Sequence, residues 1–277
     1  MYTWFITGCS TGFGKSLARA VIDAGDQAIV TARNTDSLKE FEGNENALIL
    51  PLDVTDKGQI ESSVKRAVEK FNKIDVLVNN AGYGLRGAVE EADDAEIDRI
   101  INTNFMGPLN LIRAVLPHMR ERKSGAIINF SSIAAFRTAE GSAYYGATKA
   151  GLEALSVGLS KEVAPLGIKV LIVEPGPFRT DFAGRSLAIA QKNIDDYAQT
   201  AGKRKERYDP HSDWKLGDPD RAARLLIDII KKEKLPSRLL LGSDAVRLAK
   251  EYYSKMSAEV SEYETFSIMT DEEKEAE

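Results

Sequence analysis

Tyr145 and Lys149 are the pair in this sequence whose types and spacing best suit proton transfer. They lie at the start of a predicted helix, where spacing of i, i+4 puts both side chains on one face. A phenol with a reference pKa of about 10 is a poor acid or base at neutral pH, but a nearby ammonium group lowers that pKa. Tyr144 competes for this role, but the residue four positions after it, Thr148, carries no charge. Most isolated Tyr/Lys pairs of this kind are plain surface contacts.

Ser132 follows the apolar run at 125–130 and adds a second hydroxyl. If that run is a strand of a doubly wound sheet, its carboxyl end faces the crevice in which such sheets bind ligands. There the Ser132 hydroxyl can donate to a carbonyl oxygen as negative charge develops on it. Ser131 alternates to the other face and is the weaker choice.

A glycine-rich turn, Thr7-Gly8-Cys9-Ser10-Thr11-Gly12-Phe13-Gly14, follows the first apolar run and opens a helix. Glycines there allow a tight turn and let a pyrophosphate approach the amides of the helix N-terminus. A turn that binds no ligand is the alternative. The stretch also ends in Gly14-Lys15-Ser16, as a nucleoside-triphosphate loop does, but that loop needs a glycine at position 9, where this sequence has Cys9.

The end of the second predicted strand, Val30-Thr31-Ala32-Arg33-Asn34, distinguishes NADP from NAD. An acidic residue about 20 positions after the glycines would bind the ribose 2′-hydroxyl of NAD. The sequence has Arg33 instead, and a guanidinium can bind a 2′-phosphate in a forked geometry. NADP is therefore preferred over NAD, with an ordinary solvated arginine as the alternative.

These groups need a scaffold of alternating strands and helices, and the sequence supplies one. Seven short, nearly continuous apolar runs predict strands at 3–7, 27–32, 47–52, 75–79, 125–131, 169–174 and 238–241. Runs of this kind are typical of parallel strands covered on both faces, and helical periodicity occupies the intervals between them. The expected fold class is α/β, a doubly wound, seven-stranded parallel sheet of the Rossmann type, with helices on both faces and a lid insertion.

The motifs together resemble the short-chain dehydrogenases/reductases, in the single-domain branch with its Thr-Gly-x-x-x-Gly-x-Gly spacing. The resemblance runs from residue 3 to about 180. Its motifs occur in order along the chain: the glycine loop, Asp53 in Leu52-Asp53-Val54, Asn79-Asn80-Ala81-Gly82, Asn104, Ser132, Tyr145 with Lys149, and Pro175-Gly176 followed by Thr180. Phe13 stands where the family often has isoleucine. The opening motif and long C-terminal part look like the steroid- and retinol-dehydrogenase-like members.

The resemblance implies a catalytic set of Asn104, Ser132, Tyr145 and Lys149. A nicotinamide would give a hydride to a carbonyl carbon while Tyr145 gives a proton to its oxygen, and Asn104 would hold a relay water. The resemblance also implies adenine contacts for Asp53 and Val54, ribose support from Asn80, Ala81 and Gly82, and a nicotinamide or phosphate contact for Thr180. The expected cofactor residues are Gly8, Ser10, Thr11, Gly12, Phe13, Gly14, Arg33, Asp53, Val54, Asn80, Ala81, Gly82, Tyr145, Lys149, Pro175, Gly176 and Thr180. No metal site is expected, since His118 and His211 pair with no carboxylates at ligand spacing.

The segment 177–218 breaks the strand–helix period and is predicted to be a partly helical substrate lid. Its apolar residues indicate a hydrophobic carbonyl or alcohol substrate, or else simply pack the lid: Phe178, Phe182, Leu187, Ile189, Ile194, Tyr197, Tyr208 and Trp214. The basic cluster at 203–207 either attracts an anionic group of the substrate or, as is more common, forms a solvated face of the lid. A competing hypothesis from another class is an NADP-binding redox sensor without turnover. Family members usually form dimers or tetramers through two long helices, here around 105–121 and 146–165.

Composition limits the remaining possibilities. The 277 residues carry 37 basic and 42 acidic side chains, a balance that argues against a nucleic-acid-binding protein. One cysteine excludes an internal disulfide, and no apolar run has the length of a membrane span, so a cytoplasmic enzyme is expected. Residues 271–277 hold four of the five net negative charges and read as an acidic, solvated tail. The whole chain, 1–277, is predicted to be one dinucleotide-binding catalytic domain.

Overall fold

A seven-stranded parallel sheet forms the centre of the structure, a computed structural model that describes residues 1–184, 186–206 and 216–271. The spatial order is β3-β2-β1-β4-β6-β7-β9. The strands of this sheet are β1 (Thr3–Ile6), β2 (Gln27–Ala32), β3 (Ala47–Pro51), β4 (Val76–Asn79), β6 (Gly125–Phe130), β7 (Ile168–Pro175) and β9 (Arg238–Leu241). The predicted fold class and the seven predicted strands are thereby confirmed.

Both faces of the sheet are apolar, because successive side chains of a strand point to opposite sides. Trp4 and Ile6 of β1 enter one core cluster, whereas Phe5 between them enters the other. The first core is closed by α1 (Gly12–Asp23) and α7 (Pro219–Ile230). The second core is closed by α2 (Lys57–Phe71), α4 (Gly107–Arg122) and α5 (Ala143–Val163).

The remaining helices lie at the periphery. α3 (Asp94–Ile101) begins with a capping box between Asp93 and Glu96 and runs through a π-helical turn, Asn102–Met106, into α4. A one-turn helix, α6 (Lys203–Glu206), precedes α7, and α8 (Ser243–Ile268) follows β9. Within the described ranges, no helix combines the length and the apolar character needed to cross a membrane.

A second, two-stranded parallel sheet was not predicted. It pairs β5 (Gly84–Arg86) with β8 (Leu187–Ile189), in register from Gly84 opposite Leu187. This pairing joins the chain after β4 to the segment predicted to be the lid. Glycine at position 84 leaves room for Leu187, because a Cβ there would lie 2.8 Å from Leu187 Cδ1 and that side chain would have to shift.

The segment from 177 onward is anchored by a buried ion pair. Lys205 Nζ lies 2.8 Å from Glu91 Oε2 and also donates to Lys192 O at 3.0 Å. Ala190 and Ala201 are buried. Tyr208, His211 and Trp214, like most of the acidic tail, lie outside the described residues.

Phe178 differs from its predicted place in the lid. Its ring centroid lies 4.7 Å from that of Phe13, and it packs against the core on the α1 side of the sheet. The isolated bridge to Gly217 brings the two ends of the segment 177–218 together at this point.

Candidate active site

A cleft of about 640 Å³ opens at the carboxyl ends of β1 and β4, on either side of the point where the strand order reverses. Doubly wound sheets bind ligands at this position, and the volume is ordinary for a small-molecule site. Twelve of the predicted cofactor residues line it: Gly8, Ser10, Thr11, Gly12, Phe13, Arg33, Asp53, Val54, Asn80, Ala81, Gly82 and Thr180. Gly14, Tyr145, Lys149, Pro175 and Gly176 do not.

The glycine loop is held against β4 by side-chain hydrogen bonds. Asn80 Nδ2 donates to Thr7 O at 2.8 Å and to Gly8 O at 3.2 Å. In return, Thr7 Oγ1 accepts from the backbone N–H groups of Asn80 and Ala81, both at 3.0 Å. Asn80 therefore holds the glycine loop in shape by bonding two of its carbonyl groups. The side of the loop backbone that faces the cleft is not used in these bonds.

Backbone conformation explains one of the glycines, Gly8, and close packing explains another, Gly14. Gly8 has a φ of +72°, and a Cβ at Gly14 would lie 2.4 Å from Gly8 O and 2.6 Å from Asn80 Nδ2. Gly14 therefore allows α1 to approach the loop, although it does not line the cleft itself. Gly12 lies against Thr180, whose Cβ would be 3.3 Å from an added Cβ.

The N-terminus of α1 fits a pyrophosphate. Thr11 occupies the N-cap position but its side chain makes no capping hydrogen bond, and the first turn of α1 contains no acidic residue. By contrast, Asp56 and Asp218 cap α2 and α7 with their carboxylates. The free N–H groups and the helix dipole thus point into the cleft, as an anionic ligand requires.

The other end of the cleft suits an adenosine. Arg33 is exposed at the rim, just beyond β2, with no carboxylate of that strand beside it. Asp53 Oδ1 accepts hydrogen bonds from Thr55 N at 2.9 Å and Thr55 Oγ1 at 2.8 Å. Sequence reasoning did not find Arg99 of α3, which also lines this part of the cleft.

Ser132 and Tyr145 come together beside the cleft. Ser132 caps a short 3₁₀ turn, its hydroxyl accepting from Ala134 N at 3.1 Å, and that hydroxyl is close enough to the Tyr145 phenol to act on its pKa. The Tyr145 ring lies 5.6 Å, centroid to centroid, from Phe182, which lines the cleft. Tyr144 instead donates its hydroxyl to Val89 O at 2.9 Å. The two neighbouring tyrosines therefore have different surroundings: the Tyr145 ring lies beside the cleft, whereas the Tyr144 hydroxyl is bonded to a backbone carbonyl.

Lys149 is buried behind Tyr145. Its Nζ donates to Phe130 O at 2.7 Å, at the end of β6, and lies 5.8 Å from the centroid of the Tyr145 ring. Burial lowers the pKa of Lys149 to about 8, and the Glu153 carboxylate one turn along α5 opposes that shift. Burial raises the pKa of Tyr145 to about 12, with the nearby Ser132 hydroxyl acting the other way. The pKa of Tyr145 is thus raised, whereas the sequence led us to expect that Lys149 would lower it.

Asn104 is fully buried in the π-helical turn between α3 and α4. Its Oδ1 accepts from Tyr83 N at 3.0 Å, and its Nδ2 donates to Tyr83 O at 2.8 Å. A Cβ on Gly82 would lie 3.1 Å from Asn104 Oδ1 and 3.5 Å from Lys149 Nζ. The structure thus brings Asn104, Gly82 and Lys149 together, with the Asn104 amide engaged by the backbone.

A buried polar cluster behind Lys149 was missed from the sequence. Ser131 donates to Glu153 Oε1 at 2.6 Å, and Arg238 of β9 bonds both Glu153 and Glu174. Glu153 follows Lys149 by four residues on α5, and this spacing was the available signal. Pro175 and Gly176 belong to the same region: Gly176 N donates to Leu241 O of β9 at 3.0 Å, away from the cleft.

The fold and the cleft define a dinucleotide-binding α/β protein, and comparison with known proteins identifies it further. A sequence profile of the short chain dehydrogenase family matches residues 3–189. Oxidoreductase BOA17 of Botryotinia fuckeliana is 36% identical over 268 residues, which are 96% of this chain and 97% of that protein. The chain belongs to the short chain dehydrogenase family and is an oxidoreductase, as predicted.

Two more similarities bear on the site. The 3-ketodihydrosphingosine reductase of Bacteroides thetaiotaomicron is 37% identical over 196 residues, 70% of this chain and 71% of that protein. A solved short-chain dehydrogenase from Streptomyces avermitilis is 40% identical, with a TM-score of 0.90, covering 98% of this chain and 100% of that one. Serine dehydrogenase, solved in its closed form with NADP⁺, is 28% identical, with a TM-score of 0.74 and coverage of 86% and 94%.

Proposed function

We propose that this oxidoreductase transfers a hydride between NADP(H) and the carbonyl or secondary alcohol group of a hydrophobic substrate, with Tyr145 as acid and base. The observation that carries the proposal is the pair of neighbouring hydroxyl groups of Tyr145 and Ser132, beside a cleft whose residues fit a dinucleotide. Two hydroxyl groups at one point can bind a single carbonyl oxygen from both sides.

NADP is the proposed cofactor because of the charge at the rim. Arg33 is exposed at the end of β2, where an NAD-binding site would have a carboxylate. Its guanidinium can form two charge-assisted hydrogen bonds to a 2′-phosphate. The serine dehydrogenase neighbour was solved with NADP⁺, which supports the same choice.

Bound NADPH supplies the hydride, and the chain controls the proton. Ser132 donates a hydrogen bond to the carbonyl oxygen, and Tyr145 transfers its phenolic proton to that oxygen as the carbon is reduced. Alcohol oxidation uses the same groups in reverse. Because burial raises the pKa of Tyr145 to about 12, formation of the phenolate at neutral pH needs positive charge close by. The Lys149 ammonium supplies that charge from behind the ring.

The substrate side of the cleft favours an apolar molecule. Leu85, Phe182 and Leu187 line it, and Phe182 lies against the Tyr145 ring. The Bacteroides relative is named as the reductase of a ketone. In this proposal the segment 177–218 acts as the substrate lid, with β8 carrying Leu187 into the cleft.

The test is a series of aliphatic ketones of increasing chain length, assayed by NADPH oxidation. Catalytic efficiency should rise with chain length, whereas activity confined to short polar keto compounds would contradict a hydrophobic substrate. Tyr145→Phe should lower kcat by about 100-fold or more and leave NADPH binding unchanged. Tyr144→Phe is the matched control and should keep wild-type activity. Intact NADPH binding without turnover of any carbonyl compound or alcohol by the wild type would instead favour a redox sensor.

A further inference from the structure

The C-terminal helix α8 carries an apolar stripe, and from residue 253 onward none of the other described residues of the chain buries it. At its start, Ala245, Leu248 and Ala249 are buried against the body, and Tyr252 and Tyr253 contact Phe136 at ring-centroid distances of 5.4 and 5.8 Å. From 253 to 271 every residue is exposed. The second half of α8 therefore projects from the body of the protein.

A solvated helix would be polar on all sides, but the projecting half of α8 carries large apolar side chains. Tyr263 is 53% exposed, Val260 67% and Phe266 69%. Eight of the large apolar side chains that are exposed in the described ranges lie between 246 and 269, and none lies on α4 or α5. Monomeric proteins rarely expose a contiguous apolar surface of this kind unless it is an interaction site.

The stripe has the period of a coiled coil. Its positions alternate in steps of three and four residues through more than two heptads: Val246, Ala249, Tyr253, Met256, Val260, Tyr263 and Ser267. A repeat of 3.5 residues keeps one seam of a helix facing a single partner helix. The stripe continues the face that packs on the body, so a partner helix there would extend an existing apolar contact.

We propose that the partner is α8 of a second copy of this chain, packed antiparallel about a two-fold axis at the level of Ala258. With that axis, Tyr253 faces Tyr263 of the second copy and Met256 faces Val260, so the stripe is complementary to itself. On one flank Lys250 faces Glu264 of the second copy, and on the other flank Tyr252 faces Phe266.

The distribution of charge favours this orientation. Lys250 and Lys255 are exposed in the first half of α8 and make no ion pair within the described chain, whereas residues 256–271 contain four acidic side chains and no basic one. Antiparallel packing forms two Lys250–Glu264 pairs and one like-charged contact, between Glu259 and Glu259 of the second copy. A parallel pair would instead place Glu259 beside Glu264 on both flanks. The absence of basic residues in the projecting half also disfavours a membrane surface, which attracts Lys and Arg on the polar face of such helices.

The experiment compares two exposed positions that are two residues apart and so lie on different sides of the helix. Val260 lies in the stripe and Ala258 on the outward side, so Val260→Glu and Ala258→Glu add the same charge without disturbing the body. The molar mass of the full chain is measured by light scattering and its dissociation constant by sedimentation. Val260→Glu should halve the wild-type mass and raise the dissociation constant by at least about tenfold, whereas Ala258→Glu should keep the wild-type mass.

Two further variants test the orientation. Ser257→Cys should cross-link two copies on oxidation, because Ser257 faces its own copy across the axis, whereas Ala258→Cys should not; the native Cys9 is buried. Glu264→Lys should weaken the dimer, and adding Lys250→Glu should restore it. A monomeric wild type would refute the proposal. So would equal masses for the Val260→Glu and Ala258→Glu variants, or sedimentation of the wild-type monomer with phosphatidylcholine vesicles.

Discussion

Replacement of Gly146 by alanine tests how closely the Ser132 loop packs on α5. A Cβ at Gly146 would lie 2.2 Å from Thr138 Oγ1, 2.8 Å from Thr138 Cγ2 and 3.0 Å from Ala134 O. These contacts are shorter than van der Waals distances, so the loop 133–138 must move. Because Ser132 caps the first turn of that loop, the displacement should change the position of the Ser132 hydroxyl relative to Tyr145.

The same helix offers a matched control. Gly158 also lies within α5, but a Cβ added there would have no atom of the described residues within 4 Å, apart from its chain neighbours and the nearby backbone of its own helix. Gly158→Ala should therefore stabilise the protein by the helix-propensity difference, about 0.5–1 kcal/mol. Gly146→Ala gains the same amount and loses about 1–3 kcal/mol to overpacking. The two variants should thus differ by about 1–3 kcal/mol in the free energy of unfolding.

Urea denaturation of both variants measures this difference, and steady-state assays measure its catalytic consequence. Gly146→Ala should lose activity while Gly158→Ala keeps it. Thr138→Ala removes the two atoms, Oγ1 and Cγ2, that lie nearest to the added Cβ. The double variant Thr138→Ala/Gly146→Ala should therefore recover part of the stability that Gly146→Ala alone loses. Equal unfolding free energies for Gly146→Ala and Gly158→Ala would refute the close approach of the loop to α5.

Three further predictions concern charge. Arg33→Ser should weaken NADPH binding by about 10- to 100-fold and leave NADH binding unchanged in fluorescence titrations; an equal loss for both would contradict the assigned role. The pKa of Lys149 falls from 10.5 in the unfolded chain to about 8 in the fold, so the wild type should gain stability as the pH rises from 8 to 10.5, and Lys149→Met should lack that gain in pH-dependent denaturation. Burial opposes ionisation of Glu91, but hydrogen bonds from Lys205 and backbone N–H groups outweigh it and lower its pKa from 4.5 to about 2. Protection of residues 190–206 in hydrogen exchange should therefore be present above pH 4.5 and fall as the pH drops toward 2, and Glu91→Gln should show less protection at pH 7 than the wild type.

Much of the fold was predictable because its signals are local. The strands of the main sheet are covered on both faces, which requires continuous apolar runs such as the one in β7, and those runs are visible without knowledge of their neighbours. The glycine loop and the Tyr145/Lys149 spacing are equally local, since one turn and one helix face define them. Twelve predicted cofactor residues accordingly line one cleft.

The small sheet of β5 and β8 was not predictable in this way. Each strand has three residues, too few to show a period, and the two lie about 100 positions apart in the chain. The place of Phe178 was predicted wrongly for a related reason. An aromatic residue in an irregular segment looks the same whether it lies in a lid or, as here, packs on Phe13.

The sequence by itself determined the order of strands and helices along the chain and the glycine-rich turn, and it was enough to single out the side chains that are proposed to react, because each depends on residues close together in the chain. Only the tertiary structure decided how those side chains are charged and held. The ammonium of Lys149 is bound by Phe130 O, and Glu153 behind it is held by Arg238 from the far end of the chain. Burial then sets the pKa directions of Tyr145 and Lys149, and burial is a property of the packed fold.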